Sequence, residues 1–285
     1  MEEMLLKESI SKYESIHPEL VIALTPIGIG GMKTVLKAYD TEREIDLVIK
    51  VILLTGENSE KRTIREINIL KSLDSPYFPK VLDTYLLEIS DKKIFISSEE
   101  LIKGQTLKKY CENTHSLESK VKIGKELLQA LDVVHNRRLV HRDIKPENIM
   151  IDEQGNVVLL DFGIARDLNE TSITSDLAMF GPMTIGYAAP EQIANKKKLI
   201  SPRTDLFSWA VVMTEMLTGK NPLTYGEKSR ERVIQKTLKL DSSTLSLVDT
   251  PIALATIIKK NLSPKLHLRS KSAEELIDII ESEGY

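Results

Sequence analysis

Cysteine is almost missing from this chain of 285 residues: there is one, Cys111. No internal disulfide can form, which suits a reducing compartment. Cys111 itself reads as a half-buried helix residue. Aromatic residues are scarce at 5%, and no apolar run approaches the ~18 residues of a membrane span. The N-terminal stretch MEEMLLKESISKY is acidic and lacks a basic segment ahead of a long apolar core, so it does not read as a signal peptide. An excess of one charge is lacking too. The 39 basic and 42 acidic side chains leave a net charge of −3, which gives no electrostatic case for nucleic acid or for an anionic membrane surface. There is no internal repeat and no low-complexity segment. One further absence is local. In GIGGMKTVLKA, residues 28–38, Gly28 and Gly30 have the spacing of a phosphate-covering loop, but Lys33 stands where a third glycine is expected.

What is present reads as an ordinary globular chain, 41% hydrophobic and 28% charged. In MEEMLLKESISKY, residues 1–13, Met1, Met4, Leu5 and Ile10 recur near helical spacing. They predict a short amphipathic helix that packs on the domain, with a regulatory or dimer contact as the alternative. ELVIALTPIG and MKTVLKAYD predict two strands joined by the glycine turn, and IDLVIKVILL a third. SEKRTIREINILKSLD predicts a helix with Ser59 as its cap, stopped by DSPYFP. KVLDTYLLEI and KKIFISSEEL return to strand. From about residue 105 helices dominate, beginning with SLESKVKIGKELLQALDVVHNRR and including TDLFSWAVVMTEMLTG and SAEELIDIIESE. Short strands around a turn at Gly155-Asn156 interrupt them. The expectation is α+β, a small strand-rich part before a larger helical one, with ligands in the cleft between.

The densest chemical signal is HRDIKPENIM, residues 141–150, followed by LLDFGIAR, residues 159–166. Phosphoryl transfer asks little covalent help from a protein. It needs metal ions against the phosphates, an oriented hydroxyl and cations near the phosphate oxygens. Asn148 and Asp161 supply oxygen ligands for Mg²⁺, Asp143 a carboxylate for the hydroxyl, and Lys145 a cation beside it.

On these residues the chain resembles the eukaryotic-type (Hanks-type) serine/threonine protein kinases, bacterial branch, over roughly residues 19–283. Any one motif arises by chance; six in family order do not. The resemblance implies a bilobal protein-kinase fold: an N-terminal helical extension over 1–18, then a kinase domain over 19–285 with lobes of about 19–102 and 103–285. It implies that Asp143 is the catalytic base, that Lys145 contacts the transferred phosphate, and that Asn148 and Asp161 are metal ligands. LVIK stands where the family has V-A-I-K, so Lys50 would hold the α/β-phosphates and Glu66 would pair with it. Ile27, Gly28, Gly30 and Val35 would cover ATP, and the backbone of Glu100 and Ile102 would bond adenine. That register makes Glu99 the gatekeeper; the alternative is a solvated strand-end residue. GYAAPEQ resembles the A-P-E segment, so Glu191 would pair with Arg269. Asp205 would anchor the catalytic loop, with Ala210 in place of that motif's usual glycine. His141 and Phe162 would stack in the hydrophobic spine with Leu70. His135 reads as structural.

DIKPEN implies serine/threonine acceptors, and Thr184 would contact both Asp143 and Lys145. Its usual glycine and proline neighbours are Met183 and Ile185 here. Ile164 tilts the choice towards threonine. Arg142 marks kinases switched by phosphorylation, so Thr171, Ser172, Thr174 and Ser175 are the candidate sites, modified in trans by another copy. The implied cofactors are ATP and Mg²⁺, with Mn²⁺ as a substitute. The implied partners are protein substrates, without nucleic acid or a membrane segment, in the cytoplasm. Two other functions stand beside this one: a pseudokinase scaffold, supported by Lys33, and a small-molecule phosphotransferase of related fold. Lys33 itself points to solvent, or reaches the phosphates or an acidic partner.

Overall fold

β-Branched residues in alternation build the first unit, Met1–Lys103. The computed structural model describes residues 3–30, 33–161, 166–167 and 184–285, and omits the side chains of Asn58, Arg62, Glu66, Arg166, Asp167 and Thr184. Strands β1 (Leu20–Ile29), β2 (Lys33–Asp40), β3 (Ile45–Leu54), β4 (Val81–Ile89) and β5 (Lys92–Glu100) form one antiparallel sheet in the order β1-β2-β3-β5-β4. The period of two sorts β3 cleanly. Leu47, Ile49 and Val51 are fully buried on one face, and Val48, Lys50 and Ile52 take the other.

The first face is covered by α1 (Glu3–Ile16). Its Leu5, Leu6, Ile10 and Tyr13 share one core cluster with Leu36, Leu47, Ile49, Ile94 and Ile96. The helix is therefore an integral layer of this unit. Met4, read from the sequence as part of the apolar stripe, is 78% exposed; Leu6 and Tyr13 complete the stripe instead. The helix between β3 and β4, α2 (Glu57–Ser72), starts earlier than its polar residues suggest. The chain leaves β3 through Gly56 at φ +87°, a left-handed turn open to glycine, and the Gly56 carbonyl accepts from the Ser59 and Glu60 amides. Ser59 thus lies inside the helix and does not cap it. Lys71 Nζ of α2 donates to Thr84 Oγ1 of β4. Thr84 pairs with Ser97, which pairs with Lys50, so α2 borders the face opposite α1.

The second unit, Gly104–Tyr285, is mostly helical. It contains β6 (Gly104–Thr106), α3 (Leu107–Tyr110), α4 (Leu117–Asn136), β7 (Leu139–Val140), β8 (Ile149–Asp152), β9 (Val157–Leu159) and β10 (Arg166–Asp167). After these come α5 (Pro190–Ile193), α6 (Pro202–Thr218), α7 (Arg230–Lys239), α8 (Ile252–Asn261) and α9 (Ala273–Ser282). Ser116 caps α4 by accepting from the Ser119 amide, and Ser272 caps α9 in the same way. Helix α6 is buried nearly all round, as a hydrophobic helix with few charges must be. Trp209 on it donates Nε1–H to the carbonyl of Gly124 on α4. Cys111 follows α3 as its C-terminal cap and is exposed, not half-buried within a helix. Among the described residues no helix is long and apolar enough to cross a membrane.

Candidate active site

The loop after β7 is built around one buried carboxylate. Asp205, in the first turn of α6, is fully buried. It accepts from the backbone amides of His141 and Arg142, both at 2.8 Å, and faces His135 Nε2 at 2.9 Å. Two charge-assisted backbone bonds hold the chain while it passes through Arg142 at φ +71°, a costly conformation for a side chain of this size. On the far side, Gln192 of α5 donates Nε2–H to the Arg142 carbonyl. His135 is a structural group of this network, and so is His141. The His141 ring donates from Nε2 to the Leu160 carbonyl and takes the Asp143 amide on Nδ1. Its pKa lies below the ordinary imidazole value because complete burial penalises the cation; Asp205 and Asp143 offset this only in part.

Held in this way, the loop brings three of the expected residues together. Asp143 Oδ2 accepts from Lys145 Nζ at 2.8 Å and from Asn148 Nδ2 at 2.9 Å. Asn148 Nδ2 also donates to the Asp143 carbonyl at 2.9 Å. The other carboxylate oxygen, Oδ1, is buried and has no hydrogen-bond partner among the described residues. The carboxylate is thus fixed from one side and offers its second oxygen. Asp161 is brought near by β9, whose continuation bonds the Leu160 amide to the Asn148 carbonyl at 2.7 Å. Asp161 lies two residues past the end of β9, at φ +52°, a conformation that aspartate tolerates better than most residues. Asn148 and Asp161 both carry oxygen donors. Among the described residues no cluster of three or more His, Cys, Asp or Glu could hold a metal.

A second buried pair ties the end of this segment to the rest of the helical unit. Arg269 meets Glu191 with two parallel bonds, 2.8 and 3.0 Å, and both side chains are almost completely buried. Tyr187 donates its hydroxyl to Glu215 at 2.6 Å. Burial, and then the Glu215 charge, raise the Tyr187 pKa well above the ordinary phenol value. The two side chains line a cavity of about 300 Å³ with Glu147, Asn221 and Lys108, and Lys108 pairs with Glu147.

In the first unit, the turn between β1 and β2 closes through the Gly30 amide and the Lys33 carbonyl at 2.7 Å. Register places Gly28 opposite Val35, Val35 opposite Lys50, and Lys50 opposite Ser97. These residues therefore share one face of the sheet. A Cβ at Gly28 or Gly30 would meet nothing closer than 3.5 Å, so the hairpin itself does not require glycine there. Lys50 Nζ lies 2.6 Å from Glu99 Oε2. Glu99 is 2% exposed, which overturns its reading as a solvated strand end. The Glu100 amide is taken by the Lys80 carbonyl, so of the backbone bonds expected of this residue only the carbonyl's is left open; Ile102 lies just beyond β5. Ile27 is half exposed at the tip of β1.

The protein kinase domain family matches residues 22–282. The chain belongs to the protein kinase family. It is 31% identical over 260 residues to the serine/threonine-protein kinase PrkC of Bacillus subtilis, covering 89% of this chain and 39% of that one. It is 30% identical over 258 residues to a probable serine/threonine-protein kinase PknB of Lactococcus lactis, covering 88% and 40%. To PknD of Protochlamydia amoebophila it is 28% identical over 301 residues, covering 94% and 30%. The chain therefore spans about two-fifths or less of the length of these relatives. The family match begins after α1, so the helix that completes the kinase sheet's core lies outside it.

Several expected residues of the kinase domain lie outside what is described: Phe162, Ile164, Thr171, Ser172, Thr174, Ser175, Met183, and the side chains of Glu66 and Thr184. Thr184 opens a 3₁₀ turn, Thr184–Gly186. Lys33 begins β2 opposite Ile52. Sequence reasoning missed the partnership of Lys50 with Glu99, and the contributions of Gln192, Glu215 and Asn221. Lys50 and Glu99 lie 49 positions apart, and only strand register joins them.

Proposed function

We propose that this kinase domain is catalytically active and transfers the γ-phosphate of ATP to serine and threonine hydroxyls of proteins, itself included. One observation carries the proposal: Asp143 presents a buried Oδ1 with no hydrogen-bond partner among the described residues, while Lys145 and Asn148 hold its Oδ2. An acceptor hydroxyl placed against Oδ1 would donate its proton there and turn its oxygen lone pair outward. Lys145, steered by Asp143, presents its remaining N–H bonds towards a phosphate oxygen. Asn148 commits its amide nitrogen to Asp143, so its Oδ1 is the atom a cation would take, with Asp161 as the second ligand. Mg²⁺ so held would supply charge neutralisation on the phosphates. Asp205 and Gln192 preserve the loop geometry that all of this requires.

The roles read for the other residues follow the family. Lys50, with Glu66, would serve the α/β-phosphates. Gly28 and Gly30, not needed by the hairpin's own packing, would permit close approach of the phosphates. Ile27, Val35, the Glu100 carbonyl and Ile102 would enclose the adenine. Thr184 would join Asp143 and Lys145. Residues 19–285 form the kinase domain, with α1 as an added layer of its first unit. Thr171, Ser172, Thr174 or Ser175 would take phosphate from another copy, in a cytoplasm that supplies ATP. The relatives named as serine/threonine-protein kinases support the acceptor class. The test is radiolabel transfer from ATP, with Mg²⁺, to a basic protein and to the chain itself. Parent protein transfers label, and Asp143→Asn loses activity by about 10²–10⁴-fold while binding ATP as before. An inert parent, or full activity in Asp143→Asn, overturns the reading.

A further inference from the structure

Lys50 and Glu99 form a diagonal pair across the central strands of the first unit. Lys50 is opposite Ser97, and Glu99 is opposite Val48 two residues along, so both side chains project from the same face. The ammonium and the carboxylate are 2.6 Å apart, with side-chain exposures of 11% and 2%. The carboxylate is held a second time: Ser97 Oγ, fully buried, donates to Glu99 Oε1 at 3.2 Å. A buried carboxylate without such partners would be too costly to keep charged. We propose that Glu99 is a positioning residue for Lys50: a strand-borne carboxylate that fixes the ammonium inside the sheet, in addition to any partner that α2 provides.

The reason to place this task on a strand lies in how each element is anchored. Strand β5 is bonded on both sides, to β3 and to β4, so Glu99 and Lys50 keep their spacing as long as the sheet exists. Helix α2 buries Ile67 and Leu70, but it starts after Gly56 with no side-chain cap, and its Lys71–Thr84 and Glu60–Lys93 ties to the sheet are exposed. A helix attached in this way shifts more easily than a central strand pair. The consequence is a lysine whose placement for nucleotide phosphates depends on Glu99 more than on Glu66. This inference rests on the reading of Lys50 as the phosphate-binding lysine.

Two measurements on the whole chain test it, and neither needs turnover. The first is the rate at which an amine-reactive acetylating reagent modifies Lys50 without nucleotide, followed by mass spectrometry. An ammonium buried 2.6 Å from a carboxylate is a poor target for the reagent, and losing that contact frees it. Glu99→Gln is expected to label about ten-fold faster than parent, Glu66→Gln less than half as much faster, and Glu99→Asp between parent and Glu99→Gln. The second is equilibrium binding of MgATP, expected to weaken about ten-fold in Glu99→Gln and less in Glu66→Gln. Thermal unfolding sets a temperature at which every variant is folded, and Glu99→Asp carries the comparison should the glutamine variant not fold. Labelling and affinity at parent values in Glu99→Gln, or a larger effect from Glu66→Gln, would overturn the proposal. An inert parent that still shows the labelling difference overturns the kinase activity and leaves the Lys50–Glu99 assignment standing.

Discussion

Replacing Glu191 by glutamine should destabilise the helical unit more than any surface charge change. The Arg269 guanidinium is fully buried. It spends two bonds on Glu191, one on the Ser263 carbonyl and one on the Arg203 carbonyl, and it lies over the Phe207 ring at 4.7 Å. Burial already pulls its pKa below the ordinary guanidinium value, and Glu191 is the charge that opposes this. Glu191→Gln keeps the shape and the Thr204 contact but leaves a buried cation facing a neutral amide. Breaking a buried pair from one side costs about 3–5 kcal/mol. In a unit of this size 1 kcal/mol moves Tm by about 2–4 °C, so a fall of about 6–20 °C is expected by calorimetry. Arg269→Lys should lie between parent and Arg269→Met, because an ammonium keeps the charge but not the two-pronged geometry. The double change Glu191→Gln with Arg269→Met should cost clearly less than the two single changes summed, since it removes the stranded charge. The control is Glu3→Gln, which breaks the exposed Glu3–Lys7 pair and should leave Tm unchanged. A Glu191→Gln protein within 2 °C of parent would refute the reasoning, and so would full additivity of the double change.

Gly104→Ala should be costly. Its φ is +154°, and a Cβ would collide with the Ile151 carbonyl across the β6–β8 pairing; a loss of at least about 2 kcal/mol in denaturant unfolding is expected. Ile10→Ala should lower stability by about 2–5 kcal/mol, because Ile10 is 1% exposed within the sheet's core; an unchanged unfolding midpoint would make α1 dispensable. Stability should fall on acidification through His141. Its folded pKa is depressed below the ordinary 6.5, so its contribution is full above the unfolded value and is lost as pH falls from about 6.5 towards the folded value. His141→Phe should flatten the slope of Tm against pH between about 7 and 5, and an unaltered slope counts against a buried neutral imidazole.

Much of this architecture was readable in advance because it is local. The strands at 19–28, 32–40 and 45–54 were expected from alternation and from β-branched content, and the structure has them at Leu20–Ile29, Lys33–Asp40 and Ile45–Leu54. The helical stretches that open at Ser116 and Ser272 were expected from their periodicity, and the structure adds that these two serines cap them. The start of α2 was misread because Ser59 looked like a cap, while the left-handed turn at Gly56 governs where the helix begins. Met4 was misread for a related reason. A short apolar stripe can be drawn several ways along a helix, and the surface it meets selects one of them.

Order and spacing along the chain settled the family: H-R-D with its asparagine five residues on, D-F-G, A-P-E, and a lysine on the third strand are separable from chance without any coordinates. Long-range closure settled the rest. Asp205 is 64 residues from the His141 amide it holds, and Glu191 is 78 from Arg269. For those two the resemblance to a known family supplied the expectation. For Lys50 and Glu99 nothing did. A glutamate near a strand end is usually solvated, and its burial follows from a five-stranded register that puts β5 beside β3 and turns this side chain to the same face as the lysine. Residue types determine which chemistry is available. Which carboxylate meets which cation depends on the pairing of distant strands, and that is a property of the whole sheet.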